Sequence, residues 1–370
     1  MLNFSEICTK NREKMSDIRK PESSAGVSRP LVIAGPCSAE SREQLLSTAV
    51  AVAEAGVNIF RAGLWKPRTK PGGFEGVGAA GLEWLREVRE QTGMKILTEV
   101  ATPSHIEQVM KINPDLLWIG ARTTTDPFAV QAIADALKGT SIPILVKNPL
   151  SAEIDLWSGA VERLSNAGVA SIGLIHRGFS TYEHKSYRNA PLWHIPMEMK
   201  RRFPSITLLC DPSHMGGSRT LIAPICQQAM DLMYDGLMIE THVNPEEALS
   251  DMAQQITPAQ LKLILQNLII RENSKEIEGI GAFRSEIDEL DDELLKVLSR
   301  RMQISKEIGE YKKQHKIPVF QKERYGEIIQ SALSKAKDMG LDEEFVRSII
   351  EAIHRESVRL QLPPGGLNVI

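Results

Sequence analysis

The sequence predicts an α/β protein in which a parallel (β/α)8 barrel is followed by an all-helical domain. Eight short apolar runs occur between residues 31 and 240, and segments with helical periodicity separate them. Several of those helical segments end in glycine, a frequent helix C-cap. After residue 273 the short apolar runs stop and only helical periodicity remains. Strands that alternate with helices are typical of a parallel sheet whose faces are covered by helices.

The eight apolar runs are the predicted strands, and each is short and rich in Ile, Leu and Val. Eight such units over about 240 residues fit a (β/α)8 barrel. A doubly wound open sheet is the alternative, but the eight strands and the absence of G-x-G-x-x-G after the first one favour the barrel. The predicted strands are residues 31–35, 57–62, 95–100, 116–120, 142–147, 171–176, 206–211 and 236–240.

Composition limits the classes of partner and the compartment. The 370 residues are 42% hydrophobic and 25% charged, which suits roughly two domains. The net charge of −3 gives no global basic signal, so we expect no nucleic-acid partner. No apolar run approaches the ~18 residues of a membrane helix, and no N-terminal segment resembles a signal peptide. We therefore expect no membrane partner and a cytoplasmic protein.

Shifts in composition predict four segments along the chain. Residues 1–28 are polar and mixed in charge, and we interpret them as a tail. Residues 29–272 form the predicted barrel, and the polar, Gly-containing residues 273–281 are the predicted linker. Residues 282–370 form the predicted helical domain.

Charged and polar side chains follow every predicted strand, and in a barrel the strand ends converge on one mouth where active sites lie. Polar residues also follow strands simply because loops are exposed to solvent. Here, however, all eight strand ends carry side chains with useful chemistry. Arg binds phosphate and carboxylate bidentately, and Lys supplies a point charge. The cations therefore predict substrates with several negative groups, including more than one phosphate. They are Arg61, Lys66, Arg68, Arg122, Lys147 and Arg177.

A second set of strand-end residues has the chemistry of a metal site. Cys37 alone is compatible with a nucleophile, a metal ligand, half of a disulfide or a buried small residue, although disulfides are rare in the cytoplasm. Thiolate, imidazole and carboxylate together are ligands for a divalent transition metal, and they do not distinguish Mn, Fe, Co and Zn. Asp251 could equally be an N-cap or a surface acid. The candidate ligands are Cys37, His214, Glu240 and Asp251.

The motifs GPCS, KPRT, GAR, HRG, DPSH and IETH, in this order on eight βα units, resemble 3-deoxy-D-arabino-heptulosonate 7-phosphate (DAHP) synthase of the small type I branch over residues 28–272. The resemblance implies condensation of phosphoenolpyruvate with erythrose 4-phosphate, and it assigns the four candidate metal ligands as such. A related alternative is 3-deoxy-octulosonate 8-phosphate synthase, but KPRT favours the four-carbon aldose phosphate.

The same resemblance implies roles for the cations and for one acid. Erythrose 4-phosphate would face Lys66, Pro67, Arg68 and Thr69, with Arg68 and Thr69 on its phosphate. As catalytic hypotheses, Lys66 would donate a proton to the developing alkoxide and Glu99 would position the attacking water. Phosphoenolpyruvate would be held by Arg61, Lys66, Arg122, Lys147 and Arg177.

The C-terminal domain begins with one long amphipathic helix. Its apolar periodicity runs from Phe283 to about residue 316, Pro318 marks its end, and helices follow at 323–339 and 342–360. A helix of ~48 Å is too long for a ~90-residue globule, so we expect an intertwined homodimer. A free-standing coiled coil is the structural alternative.

Cations on that helix indicate a second site. Arg301 and Lys312 share one face, whereas Arg284 lies ~25 Å away along the axis and is expected to serve a partner chain. The alternative is a solvated helix on which Arg and Lys are ordinary surface residues. Residues 277–362 resemble the all-helical chorismate mutase, a domain-swapped dimer. The resemblance implies a chorismate site with Arg301 and Lys312 as catalytic cations, built from Arg284, Arg301, Lys312, Arg324, Ser357 and Gln361.

Two positions depart from the mutase pattern. Gln321 and Tyr325 stand where the family commonly has acids that contact the substrate hydroxyl, although both side chains are able to form hydrogen bonds. Two hypotheses follow: a bifunctional enzyme whose mutase domain also gives feedback, or a helical domain that is mainly a regulatory sensor and dimeriser with weak catalysis.

Overall fold

A computed structural model describes residues 30–66, 72–181, 186–271 and 280–362 of the chain. The chain divides into two compact units, residues 1–272 and 273–370. The first unit contains all the strands of the described residues, and the described part of the second is helical throughout apart from its connections.

The first unit is a closed barrel of eight parallel strands in sequence order, which confirms the predicted fold class. Every strand lies within two residues of its predicted start and end. The strands are β1 Leu31–Gly35, β2 Ile59–Arg61, β3 Lys95–Val100, β4 Leu116–Ile119, β5 Ile144–Lys147, β6 Ile172–His176, β7 Thr207–Cys210 and β8 Gly236–Glu240. The barrel closes where β1 pairs with β8, so that Gly35 is the partner of Glu240.

Helices surround the barrel, and several start at side-chain caps that can be found in the sequence. The side chains of Ser41, Thr102, Asp126 and Thr257 each accept a hydrogen bond from a backbone N–H in the first turn. The helices are α1 Arg42–Glu54, α2 Ala80–Thr92, α3 Pro103–Val109, α4 Ala121–Thr124, α5 Pro127–Ala136, α6 Ile154–Asn166, α7 His194–Arg202, α8 Pro212–Gly216, α9 Arg219–Asp231 and α10 Pro258–Asn267.

Two buried layers explain why the strands read as continuous apolar runs. One layer lies between the strands and the surrounding helices. The other fills the barrel interior, where Leu97, Trp118 and Leu145 pack with six further side chains from the strands. Residues on both faces of each strand are therefore excluded from water, which requires apolar side chains at successive positions.

Between residues 280 and 362, the second unit consists of three helices, α11 Ile280–Gln314, α12 Lys322–Asp338 and α13 Glu343–Gln361. The predicted long first helix is confirmed. It begins at Ile280, three residues before the predicted start at Phe283. Of the residues of this helix, only Ser305 and Gly309 are buried. A row of large apolar side chains on it is exposed to solvent, namely Phe283, Ile287, Leu290, Leu294, Leu295, Val297, Ile304 and Ile308.

Within the described ranges, no helix combines the length and the apolar character that a membrane crossing requires.

Candidate active sites

Three candidate metal ligands meet at the mouth of the barrel. One ligand atom each from Cys37, Glu240 and Asp251 lies within 4.8 Å of the others. Cys37 follows β1 and Glu240 ends β8, and these strands pair at Gly35 and Glu240, so the closure of the barrel brings the two side chains together. The Cys37 Sγ–H donates to Asp251 Oδ2 over 3.4 Å.

His214, the fourth predicted ligand, lies beside this group of three. Its Nε2 is 3.7 Å from Glu240 Oε1 and 3.9 Å from Asp251 Oδ2. Its Nδ1 lies 2.8 Å from Asp211 Oδ2, and Asp211 also accepts a hydrogen bond from Lys147. A carboxylate on one ring nitrogen turns the other towards a metal, as is usual for histidine ligands.

The residues present fit a divalent cation. Glu240 is fully buried, yet its Oε1 atom accepts no hydrogen bond from any described residue. Burial and the charge of Glu240 raise the pKa of the Cys37 thiol to about 12. A metal dication would supply the missing positive charge, because it satisfies the orphaned carboxylate oxygen and favours the thiolate. The donor set of one sulfur, one nitrogen and two carboxylates does not select one transition metal.

The Lys66 ammonium points into the same centre. Its Nζ donates to Cys37 Sγ over 2.9 Å. Lys66 and Glu99 also line a cavity of about 230 Å³, together with Trp65, Glu75, Ala101 and His105. The other predicted erythrose 4-phosphate residues, Pro67, Arg68 and Thr69, lie outside the described residues. The cavity therefore adjoins the KPRT segment at its described end.

Glu99 is oriented by the strand that follows it. The Trp118 Nε1–H donates to Glu99 Oε2 over 3.1 Å. A Cβ atom at Gly120 would lie 2.0 Å from Glu99 Oε1, so only glycine leaves room for this carboxylate. The predicted catalytic acid is thus held by β4 and its following turn.

Arg61 is the most unusual cation of the mouth. Its side chain is 1% exposed, yet its Nε and Nη1 atoms have no hydrogen-bond partner among the described residues. The remaining nitrogen, Nη2, donates to the Cys37 carbonyl and lies 3.3 Å from Glu240 Oε1. Buried N–H groups without partners are costly, so this guanidinium presents two donors to an anionic ligand.

The other predicted phosphoenolpyruvate residues differ in their surroundings. Lys147 is buried and ion-paired with Asp211 at 2.7 Å. Arg177 is also buried, and burial lowers the pKa of its guanidinium to about 10. Arg122 lies on α4 with an exposed side chain, and its charge contributes to lowering the pKa of Arg177. The three cations therefore belong to one electrostatic cluster.

Sequence reasoning missed a set of residues that orient the candidate ligands. Arg188 Nη1 donates to Asp251 Oδ1 over 3.0 Å and to Gln254 Oε1 over 2.5 Å. The Gln254 amide donates in turn to Glu240 Oε2 over 2.6 Å, and Gln255 accepts the backbone N–H of Cys37. Only the proximity of Gln254 and Gln255 to Asp251 in the sequence could have signalled them.

The second unit brings part of the predicted chorismate site together along α11 and α13. Arg301 Nη1 donates to Ser357 Oγ over 2.6 Å. Gln361 lies against Gly309, and its Oε1 atom is buried without a hydrogen-bond partner among the described residues. Lys312 Nζ donates to the carbonyl of Val319 over 2.7 Å.

Two predicted chorismate residues are placed differently. Arg324 forms an exposed ion pair with Glu327 at 2.8 Å. Arg284 is exposed and lies 17 positions before Arg301 on the same helix, and its role towards another chain stays a prediction. Neither side chain has a contact that joins it to Arg301 within the described residues.

Comparison with known families assigns both units. The family model described as "DAHP synthetase I family" matches residues 12–277. The family model described as "Chorismate mutase type II" matches residues 283–362. Together the two matches account for nearly the whole chain.

Known relatives and solved structures resemble the barrel. The chain is 34% identical over 237 residues to a phospho-2-dehydro-3-deoxyheptonate aldolase of Thermotoga maritima, covering 64% of this chain and 68% of the relative. It is 27% identical over 267 residues to a 2-dehydro-3-deoxyphosphooctonate aldolase of Wolinella succinogenes, covering 65% and 98%.

Two solved structures from Thermotoga maritima match the same part of the chain. The crystal structure of the phospho-2-dehydro-3-deoxyheptonate aldolase has a TM-score of 0.58 at 34% identity and covers 64% of this chain and 67% of that chain. A truncated form of 3-deoxy-D-arabino-heptulosonate 7-phosphate synthase has a TM-score of 0.57 at 29% identity and covers 70% and 94%.

Proposed function

The chain belongs to the DAHP synthetase I family, and from this premise we propose that it is a bifunctional enzyme of the shikimate pathway. The barrel condenses phosphoenolpyruvate with erythrose 4-phosphate to give DAHP and phosphate. The helical unit rearranges chorismate to prephenate. The observation that carries the first activity is the buried Arg61, whose two unpaired nitrogens lie beside the candidate metal ligands Cys37 and Glu240.

Binding at the barrel mouth is an electrostatic and positioning task. Arg61, Lys147 and Arg177 hold the phosphate and carboxylate of phosphoenolpyruvate, with Arg122 and Lys66 at the edge of the same cluster. The cavity beside Lys66 receives the aldose, whose phosphate meets Arg68 and Thr69. Holding the two anions in register brings C3 of phosphoenolpyruvate to the aldehyde carbon.

Lys66 and Glu99 carry the proposed proton and water steps. C3 of phosphoenolpyruvate forms a bond to the aldehyde carbon, and the Lys66 ammonium gives its proton to the aldehyde oxygen. Glu99 positions the water that adds at C2, after which phosphate leaves. Both groups line the same cavity, which supports these roles.

Cys37, His214, Glu240 and Asp251 are the residues that would hold the metal. A bound divalent transition metal supplies Lewis acidity that polarises the aldehyde. Lys147 and Asp211 orient His214, and Arg188 and Gln254 orient the carboxylates. The identity of the metal is left open by this donor set.

The helical unit needs no acid, base or metal for its rearrangement. It needs cations that hold a dicarboxylate in a compact conformer and stabilise charge at the breaking C–O bond. Arg301 and Lys312 take this role, Ser357, Gln361 and Arg324 line the pocket, and Arg284 reaches the site of a partner chain. The match to the mutase family favours catalysis over a purely regulatory sensor.

A homodimer through α11 completes the proposal. This helix of 35 residues is ~52 Å long and leaves a continuous row of large apolar side chains exposed. A contiguous exposed apolar face on a helix is typical of an association surface, and a second copy of the chain would cover the apolar row of α11. The cytoplasmic location stays a prediction.

One set of assays on the full-length protein tests both activities. Consumption of phosphoenolpyruvate with erythrose 4-phosphate is measured before and after chelation with EDTA, and consumption of chorismate is measured in the same preparation. We expect chelation to stop the first reaction and to leave the second unchanged. Synthase activity that survives thorough chelation, or a preference for a five-carbon aldose phosphate, would contradict the proposal for the barrel.

A further inference from the structure

A histidine that the sequence reasoning did not select lies in the helical unit beside the candidate chorismate residues. His354 is on α13, three residues before Ser357 and seven before Gln361, so the three side chains share one face of the helix. Its ring is 4.6 Å from the ring of Tyr325 and 6.2 Å from that of Phe320, measured between centroids. The residue before Phe320 supplies the carbonyl that binds Lys312 Nζ.

The surroundings of His354 are those of an anion site. Burial, followed by the positive charges of Arg301 and Lys312, lowers the pKa of its imidazole. Among the described residues, neither of these two cations is paired with a carboxylate within ion-pair distance, since Arg301 binds Ser357 and Lys312 binds a backbone carbonyl. Arg301 and Lys312 are half-buried and have no carboxylate partner, so this part of the unit favours binding of a dianion.

Two buried polar atoms on the same helix face also have no partner. The His354 Nε2 and Gln361 Oε1 atoms are buried, and neither has a hydrogen-bond partner within the described part of the unit. A buried polar group without a hydrogen bond is unfavourable, and a ligand that supplies the missing partner removes this cost on binding. The imidazole is neutral near pH 7, so its Nε2 either donates or accepts according to its tautomer.

We propose that His354 is a further substrate-binding residue of the mutase site, whose Nε2 hydrogen-bonds the bound chorismate or prephenate dianion. The inference rests on the proposed mutase function of this unit. His354 lies against Tyr325 and within electrostatic reach of Arg301 and Lys312, so its imidazole stands beside the two cations that would hold the dianion.

The test compares two substitutions at His354 in the full-length protein. His354→Phe keeps an aromatic ring against Tyr325 but removes Nε2, and His354→Gln retains a polar group that reaches about as far. Prephenate binding is measured by titration calorimetry, and KM and kcat are measured for chorismate. We expect His354→Phe to weaken prephenate binding and to raise KM about tenfold, with a smaller change in kcat, and His354→Gln to recover most of both.

A matched control comes from a second stacked histidine in the same unit. The His315 ring lies 4.0 Å from that of Tyr311, and its Nδ1 binds the Tyr311 carbonyl, away from Arg301. We expect His315→Phe to leave prephenate binding unchanged. Synthase activity of each variant reports whether the rest of the chain is intact.

The possible results separate the inference from the proposed function. Unchanged prephenate affinity and KM in His354→Phe would overturn the inference, as would a loss that His354→Gln fails to recover and that a lower Tm accompanies. A wild-type protein that binds prephenate but does not consume chorismate would overturn the catalytic role of this unit. The inference would then be decided by the binding of prephenate alone.

Discussion

The mouth of the barrel and the site of the helical unit differ in how their charged side chains are paired. In the barrel, buried charges are cross-linked to one another, as in the series Lys147, Asp211 and His214. In the helical unit, Arg301 and Lys312 have only neutral partners, and the long helix that carries them exposes an apolar row. The difference indicates that the residues of the first site hold one another in place, whereas the cations of the second site lack counter-charges among the described residues until a ligand binds.

Removing the candidate thiolate should separate the two sites most strongly. Cys37→Ala deletes one metal ligand and the acceptor of the Lys66 hydrogen bond, so we expect at least about a hundredfold loss of synthase activity. Chorismate consumption should be unchanged, because no residue of the helical unit is altered. Both rates are measured on one preparation, together with bound metal by mass spectrometry. An equal loss of both activities would contradict the independence of the sites.

Disrupting the apolar row of α11 should have the converse effect. The double substitution Leu290→Glu and Leu294→Glu places charge on two exposed apolar positions, so we expect the α11-mediated association and most of the mutase activity to be lost. Multi-angle light scattering measures the mass of the particles. Lys296→Glu, at an exposed position of the same helix, is the charge control and should change neither. A double variant with the wild-type mass would argue against this face as an interface.

Weakening the support of the metal ligands should give an intermediate effect on the barrel alone. Gln254→Leu removes the hydrogen bond to Glu240 and one of the two acceptors of Arg188, so we expect metal affinity to fall about 10–100-fold. Equilibrium competition with a metal chelator measures this affinity directly. Gln228→Leu, an exposed position on α9, is the matched control. A variant that loses activity but keeps its metal affinity would rule out this supporting role.

The smallest expected effect is a pH dependence of stability that comes from a buried histidine of the barrel. Burial lowers the pKa of His176 to about 3, far below the ~6.5 of an unfolded chain. Below pH 6.5 the imidazole of His176 binds a proton in the unfolded chain but not in the folded one. The free energy of unfolding therefore falls as the pH falls below 6.5. We expect a loss of about 2 kcal/mol between pH 6.5 and 5.

His176→Gln cannot titrate and should therefore show a flatter dependence of the unfolding free energy on pH. Denaturant unfolding of the barrel transition at several pH values measures the difference from the wild type. His194→Gln removes an exposed histidine from α7 and serves as the control. Parallel curves for the wild type and His176→Gln would contradict the depressed pKa.

Much of the barrel could be predicted because its strands are buried on both faces. That burial requires runs such as KILTEV, whose predicted bounds coincide with β3. The prediction was less accurate at β2, where the apolar run begins at Val57 but the strand begins only at Ile59. In the candidate site, the residue types at the strand ends were predictable, but their hydrogen-bond partners were not.

The interaction of Arg188, Gln254 and Gln255 with the candidate ligands shows the limit of sequence reasoning. Gln255 binds the backbone of Cys37 across a separation of 218 residues. His354 was missed for a related reason, because a histidine on an amphipathic helix carries no signal until its neighbours Tyr325 and Arg301 are known. Contacts of this range depend on how the elements close on one another.

By itself, the sequence determined the eight strands, their order, the helical C-terminal unit and the residue types available at each strand end, because burial and periodicity act locally. The tertiary structure decided which of those residues meet. Closure of β1 onto β8 brings Cys37 to Glu240, and the packing of α11 against α13 brings Arg301 to Ser357. Ion pairs and orphaned donors such as Arg61 arise only from that closure, since electrostatic interactions depend on distance in space and on exclusion of water.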